Sequence, residues 1–274
     1  MILQRVSEDR AVRLEKEVSK QRSAELQLSM FFGSEGKGVH LEKLGMVILS
    51  SLVAPCVVTS SPANGVVTGK VTYVGTPAKA EAIDMSKDPE CAKLHSKPLP
   101  TEKAVTGPGN TLGNVVVYVS SGPEEPAPQG LREATLDQQG CRYSPHVLAV
   151  RAGQDIRIAN SDPLSHNIHP QAKVNREWNR IEPAQTPAFS YSYEKEEFIP
   201  VKCNLHPWMQ GYIAVLKTSH FAVTREDGTF TLPELPPGKY TVTAWHELYG
   251  TQSREITITG SETQIVNFLF YAKP

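Results

Sequence analysis

Cys203-Asn204-Leu205-His206-Pro207-Trp208-Met209 sets a thiol, an imidazole and a thioether within seven residues, and a second imidazole, His166, stands 37 residues upstream. Thiolate and thioether sulfur suit the cuprous ion, and imidazole nitrogen also accommodates the cupric ion. Two imidazoles and a thiolate with a weak thioether are therefore a donor set for one-electron metal chemistry. Three of the donors sit on one loop and the fourth on a neighbouring strand, so the metal would be held by a scaffold that does not move when its charge changes. Zinc is a competitor for the same atoms, since thiolate and imidazole bind it too. The plain alternative is a buried apolar Cys203 with His206 and Met209 as surface and core fillers.

Holding such a loop calls for strands, and the text around it supplies them. Residues 147–150 and 155–160 alternate as short strands around the turn Arg151-Ala152-Gly153, and residues 189–193, 198–202 and 212–217 continue the series. Gly 19 and Pro 21 punctuate runs rich in Val, Ile, Thr and Tyr, a pattern of many short strands joined by tight turns. Nearer the N-terminus, 66–74 and 114–120 read as strands, and 76–113 between them as a long surface excursion. After residue 220, strands are expected at 229–232, 240–246, 255–259 and 265–270, with turns at Gly228 and Pro236-Pro237-Gly238.

The metal loop resembles that of the cupredoxin family, and most of all the short amicyanin loop, Cys-x₂-His-x₂-Met with Pro after the His. His166-Asn167-Ile168-His169 resembles the family's upstream His-Asn-Val-His segment. Tyr143-Ser144-Pro145, Gly153 and Asn160 follow the family's order of strand, Gly turn, strand, Asn and His. The resemblance implies one type 1 copper ion with His166, Cys203 and His206 in the trigonal plane and Met209 axial. It also implies that Asn167 ties the two ligand-bearing loops together, and that the His206 edge is exposed beside a docking patch containing Trp208. His169 reads as an exposed residue at the strand end.

Thr224 to Trp245, with Asp227-Gly228-Thr229-Phe230 and Leu235-Pro236-Pro237-Gly238-Lys239-Tyr240, resembles the carboxypeptidase regulatory-like (transthyretin-like) sandwich. That family's initial Val-x-Gly-x-Val strand occurs far upstream, at Val67-Thr68-Gly69-Lys70-Val71. The expected fold is all-β: a cupredoxin-like Greek-key sandwich at 130–217 inserted in, or next to, a smaller regulatory-like sandwich built from 66–120 and 220–272. The smaller sandwich is expected to be a structural platform, with carbohydrate or partner binding as its alternative.

The remaining cysteines bear on compartment. Residues 44–54 form the chain's one continuous apolar run, preceded by Lys37 and Lys43 and too short to span a bilayer of about 20 helical residues. Residues 1–55 therefore read as an N-terminal extension and signal peptide, with translation expected to begin at Met30 or later. Cys56 closes a segment resembling a bacterial lipoprotein cleavage box, with Pro55 departing from it. In an exported chain Cys91 and Cys141 pair most simply with each other. A zinc site using Cys91 and His95 with Cys141 and His146 is the rival.

Lys and Arg number 28 against 29 Asp and Glu, scattered without a basic stripe, which excludes nucleic acid as a natural partner. No Gly-x-Ser-x-Gly occurs, and the spare histidines His95, His146, His169, His220 and His246 form no His-x-His pair for a further copper centre. The expectation is a non-enzyme: an exported electron carrier of the bacterial periplasm or envelope with a transient redox protein as partner, in contact with a membrane only through lipid on Cys56. Copper storage or delivery, and surface binding with a structural copper-type domain, are the alternatives.

Overall fold

The computed structural model describes residues 63–76, 80–124 and 131–271. The expected signal peptide and Cys56 lie outside the described residues. The early strands are β1 (Val66–Val74), β2 (Thr106–Gly107), β3 (Thr111–Leu112) and β4 (Val116–Ser121). They are followed by β5 (Ala134–Gln138), β6 (Tyr143–Ser144), β7 (Val147–Arg151), β8 (Ile156–Asn160) and β9 (His166–Pro170). Then come β10 (Arg180–Glu182), β11 (Phe189–Tyr191), β12 (Glu197–Lys202) and β13 (Gln210–Leu216). The last group is β14 (Phe221–Val223), β15 (Thr229–Thr231), β16 (Gly238–His246), β17 (Gly250–Ile258), β18 (Thr263–Ile265) and β19 (Phe268–Tyr271). Two expected elements differ: β17 starts earlier than its expected stretch at 255–259, and the run at 265–270 is broken into β18 and β19.

Strand pairing sorts these elements into two sandwiches. The inner one packs the sheet β10-β9-β12-β13-β7 against β11-β8-β5-β6. In the outer one, β1 pairs with β15, β3, β18 and β19, and faces the sheet β14-β4-β16-β17. Strands from before and after the inner sandwich thus share the outer one. Gly69 is required where β1 meets the segment after β18, since a Cβ there would lie 1.8 Å from the carbonyl oxygen of Val266.

Side-chain alternation on three strands welds the sandwiches together. Successive residues of a strand point to opposite faces. On β13, Ile213 and Val215 enter the inner core, and Ala214 and Leu216 enter a third apolar layer between the sandwiches. On β7, Leu148 and Val150 face the inner core and Val147 the layer. On β4, Val117 and Val119 face the outer core, with Val116 and Tyr118 in the layer. These strands read as unbroken apolar runs because both faces are covered. Trp245 of the outer sandwich stacks on Phe198 at 4.3 Å and meets Tyr212 edge-on at 5.1 Å. A short contact joins His146 Nε2 to Glu247, with both side chains buried.

Residues 80–113 are more ordered than the weak periodicity suggests. The amide of Ile83 donates to Leu99 at 2.8 Å, and that of Thr101 to Glu81 at 2.8 Å. Between them stands one short helix, α1 (Pro89–Lys93), with Asp88 as N-cap. Cys91 and Cys141 form a disulfide with Cα atoms 5.8 Å apart. Met85, Ile83, Leu99, Leu164 and Trp208 pack around it as a small core of their own. Near the far end of the excursion β3 pairs with β1, Thr111 opposite Thr72, so the segment is tied to the outer sandwich as well as by the disulfide.

His246, fully buried beside this interface, generates a pH dependence. Burial, then the nearby His146, push its pKa down to about 4. Its folded value lies below the unfolded value of about 6.5, so the unfolded chain takes up the proton first. Stability contributed by neutral His246 is full above about pH 6.5 and falls as pH drops toward 4, by roughly 3 kcal/mol in all. Urea unfolding midpoints at pH 7 and pH 4.5 should show a smaller difference in His246→Phe than in the wild type, and equal differences would count against this burial effect.

Candidate metal centre

Register places the donors. β12 runs antiparallel to β9 with Val201 opposite Pro170 and Lys202 opposite His169, so Cys203, one residue past the end of β12, falls opposite Ile168, within reach of the Asn167 amide. The loop from β12 to β13 is closed by the amide of Cys203 donating to Met209 at 3.1 Å and that of Met209 donating to His206 at 2.9 Å. This tight turn brings His206 back over Cys203.

The three side chains converge. His166 Nδ1 and His206 Nδ1 lie 3.1 Å apart, and Cys203 Sγ is 3.6 Å from His206 Nδ1. All three donor atoms fall within 4.8 Å of one another, with His166, Cys203 and His206 buried. Such spacing is what a common ion about 2.0–2.3 Å from nitrogen and sulfur allows. Met209 is 1% exposed and belongs to the same apolar cluster as Cys203. The residues present therefore fit a metal ion, by donor chemistry and by spacing.

Asn167 ties the ligand-bearing segments. Its amide donates to Cys203 Sγ at 3.3 Å, and its side-chain oxygen accepts from the amide of Asn204 at 2.9 Å. Its side-chain nitrogen donates to the carbonyl of Arg180 at 3.1 Å and contacts Asn179. Tyr143 donates its hydroxyl to the Asn167 carbonyl at 2.6 Å. His169 stands apart, with Nε2 2.7 Å from Glu177.

Two carboxylates that no spacing rule pointed to hold the far side of each imidazole. His166 Nε2 lies 2.7 Å from Asp162 Oδ2, and Asp162 also accepts the amides of Gly140 and Cys141, each at 2.7 Å. His206 Nε2 lies 3.0 Å from Asp88 Oδ2. The Asp88-Pro89-Glu90 order is a readable helix start, with an N-cap acid before proline at the first helical position. Nothing in it shows that the same carboxylate reaches an imidazole more than a hundred residues away.

This overturns one expectation. His206 is 4% exposed, because Asp88 and the excursion cover the edge that the resemblance left open to solvent. Trp208 is half-buried: its ring lies 5.2 Å from that of His206 and its Nε1 donates to the Cys141 carbonyl at 3.2 Å. The rival zinc grouping also fails, since Cys91 and Cys141 are joined to each other and His95 Nε2 contacts the Gly140 carbonyl at 2.9 Å.

Comparisons with known proteins bear on both sandwiches. Residues 211–270 match the family model of the carboxypeptidase regulatory-like domain. The match begins within β13 of the inner sandwich, and the strands that residues 66–121 add to the outer sandwich lie before it. Among solved structures, the chain is similar to a Cu(I) amicyanin mutant at 22% identity, covering 37% of this chain and 98% of that one, with a TM-score of 0.28. It is similar also to a purple cupredoxin from Nitrosopumilus maritimus at 22% identity, covering 30% and 99%, with a TM-score of 0.27. No curated protein matches the chain.

Protons are part of the site. The two imidazole Nδ1 atoms lie within hydrogen-bonding distance, at 3.1 Å. Burial disfavours charge on His166, but the Asp162 carboxylate and the Cys203 sulfur outweigh it and hold its pKa up to about 9. The Cys203 thiol is opposed by burial and nevertheless lowered by hydrogen bonds from His166 and from the amides of Asn167, His206 and Leu205. A metal must displace the proton held here, so affinity rises with pH below about 9. Zn(II) titrations from pH 6 to 8 should show proton release and roughly tenfold tighter binding per unit for each proton lost. A constant affinity without proton release would contradict a proton resident on the donor set.

Proposed function

We propose that the protein is an exported type 1 copper protein that carries single electrons and transforms no substrate. The observation that carries this reading is the convergence of His166 Nδ1, Cys203 Sγ and His206 Nδ1 in a buried pocket, with Met209 on the same loop. Copper bound by two imidazoles, a thiolate and a weak thioether supplies a one-electron couple. The chain's own part is to hold the donors still. Asn167 fixes the thiolate, Asp162 and Asp88 fix the imidazoles, and burial keeps water from the donor atoms. Donors held by strand register and by hydrogen bonds to Asn167, Asp162 and Asp88 favour a centre that changes charge without rebuilding its ligands.

The Cys91–Cys141 disulfide supports an oxidising compartment, in line with export to a bacterial periplasm or envelope. The partner in this reading is a transient redox protein. Storage or delivery is the second reading, and it calls for ligands that let go; the two carboxylate-held imidazoles weigh against it.

One equivalent of Cu(II) added to the exported form should give an intense visible thiolate-to-copper band with the matching electron paramagnetic resonance signal. Both should vanish on reduction and be absent in Cys203→Ser. A colourless complex that still holds the ion would turn the reading toward a structural or metal-handling site.

A further inference from the structure

Between the two carboxylates that hold the imidazoles stands the disulfide. Asp88 caps helix α1: its Oδ1 accepts the amides of Glu90 at 3.2 Å and of Cys91 at 3.3 Å, leaving Oδ2 for His206 Nε2. Cys91 is bonded to Cys141, and the Cys141 amide donates to Asp162 Oδ2, the oxygen that faces His166 Nε2. His206, Asp88, Cys91, Cys141, Asp162 and His166 therefore form one unbroken arch over the outer side of the donor set. Donor atoms of Asp88, Cys91 and His206 lie within 4.8 Å of one another, and so do those of Cys141, Asp162 and His166.

We propose that Asp88 is a positioning residue for the metal centre: latched by the Cys91–Cys141 disulfide, it accepts the Nε2 hydrogen of His206, turns the Nδ1 lone pair toward Cys203 and His166, and covers the imidazole edge. The inference rests on the metal-centre reading above and adds a residue and a covalent tether from a segment remote in sequence. Hydrogen bonds of this kind behind a ligating histidine fix its tautomer and ring orientation. The two oxygens of Asp88 have separate duties, one to the helix and one to the imidazole. Metal exchange and outer-sphere contact at His206 are then governed by the excursion, because the ring cannot be reached until Asp88 leaves.

The decisive variant is Asp88→Asn, which keeps shape and helix capping but places an amide NH₂ against His206 in place of an acceptor oxygen. Long-range nitrogen–proton correlation spectra of the metal-free full chain at pH 8 should show His206 with hydrogen on Nε2 in the wild type and on Nδ1 in the variant. Release of Zn(II) to a colorimetric chelator should be at least tenfold faster in Asp88→Asn. Cys91→Ala/Cys141→Ala, which retains Asp88 but frees it, should also release the ion faster. An unchanged tautomer in Asp88→Asn overturns the proposal, even if release is faster, because Asp88 would then be only a cover. Unchanged release in both variants overturns it as well. Neither readout uses copper, so a failed visible band would sink the electron-transfer reading and leave this one to be judged separately.

Discussion

The antiparallel register between β12 and β9 is the constraint on which the site depends. Lys202 opposite His169 brings Cys203 opposite Ile168 and beside Asn167, whose amide reaches the sulfur and whose side chain reaches the next residue of the loop. A slip of one residue would turn every side chain of β12 to the other face and withdraw the thiolate from the imidazoles. The register is secured from the other edge of β12, where β13 pairs with it along six residue pairs and buries Ile213 and Val215 in the inner core. The metal loop is thus a short bridge between two strands that neither slide nor separate.

Much of this was legible in the sequence. The close spacing of Cys203, His206 and Met209 on one loop fixes their proximity whatever the rest of the chain does, and His166 followed by Asn167 at a strand start adds the partner segment. The early strand with Gly69 was legible as a member of the outer sandwich because Val67-Thr68-Gly69-Lys70-Val71 resembles the initial strand that the regulatory-like motif at 224–245 lacks just upstream. The two carboxylates were not. Asp88 and Asp162 act through folded geometry, one by the reach of a helix cap across a disulfide and the other through a loop before β9, and no periodicity marks either. The covered state of His206 was missed for the same reason: residues 80–113 lack a repeating apolar pattern, and their order comes from a covalent bond and a seven-residue local core.

The outer sandwich is more than an appendage to this arrangement. Strands that precede the inner sandwich and strands that follow it close around β1, and the aromatic layer of Tyr118, Phe198, Tyr212 and Trp245 fills the seam. Trp245-His246-Glu247 serves packing between and within the sandwiches. Trp245 joins the seam, His246 stacks on Tyr249 at 4.7 Å, and Glu247 pairs with His146 of the inner sandwich.

The two-faced burial of β7 and β13 has a consequence for how such a protein can be altered. An inner sandwich cut free at its ends would present Val147, Ala214 and Leu216 to water as a contiguous apolar stripe, and it would lose Cys91 and the carboxylate that closes over His206. Exposed stripes of that kind invite association between chains. The inner sandwich is therefore not a transplantable cassette. Gene rearrangement that moved it without its flanking strands would carry away Cys203, His166 and His206 and leave behind both the strands that cover its apolar stripe and the segment that closes over His206.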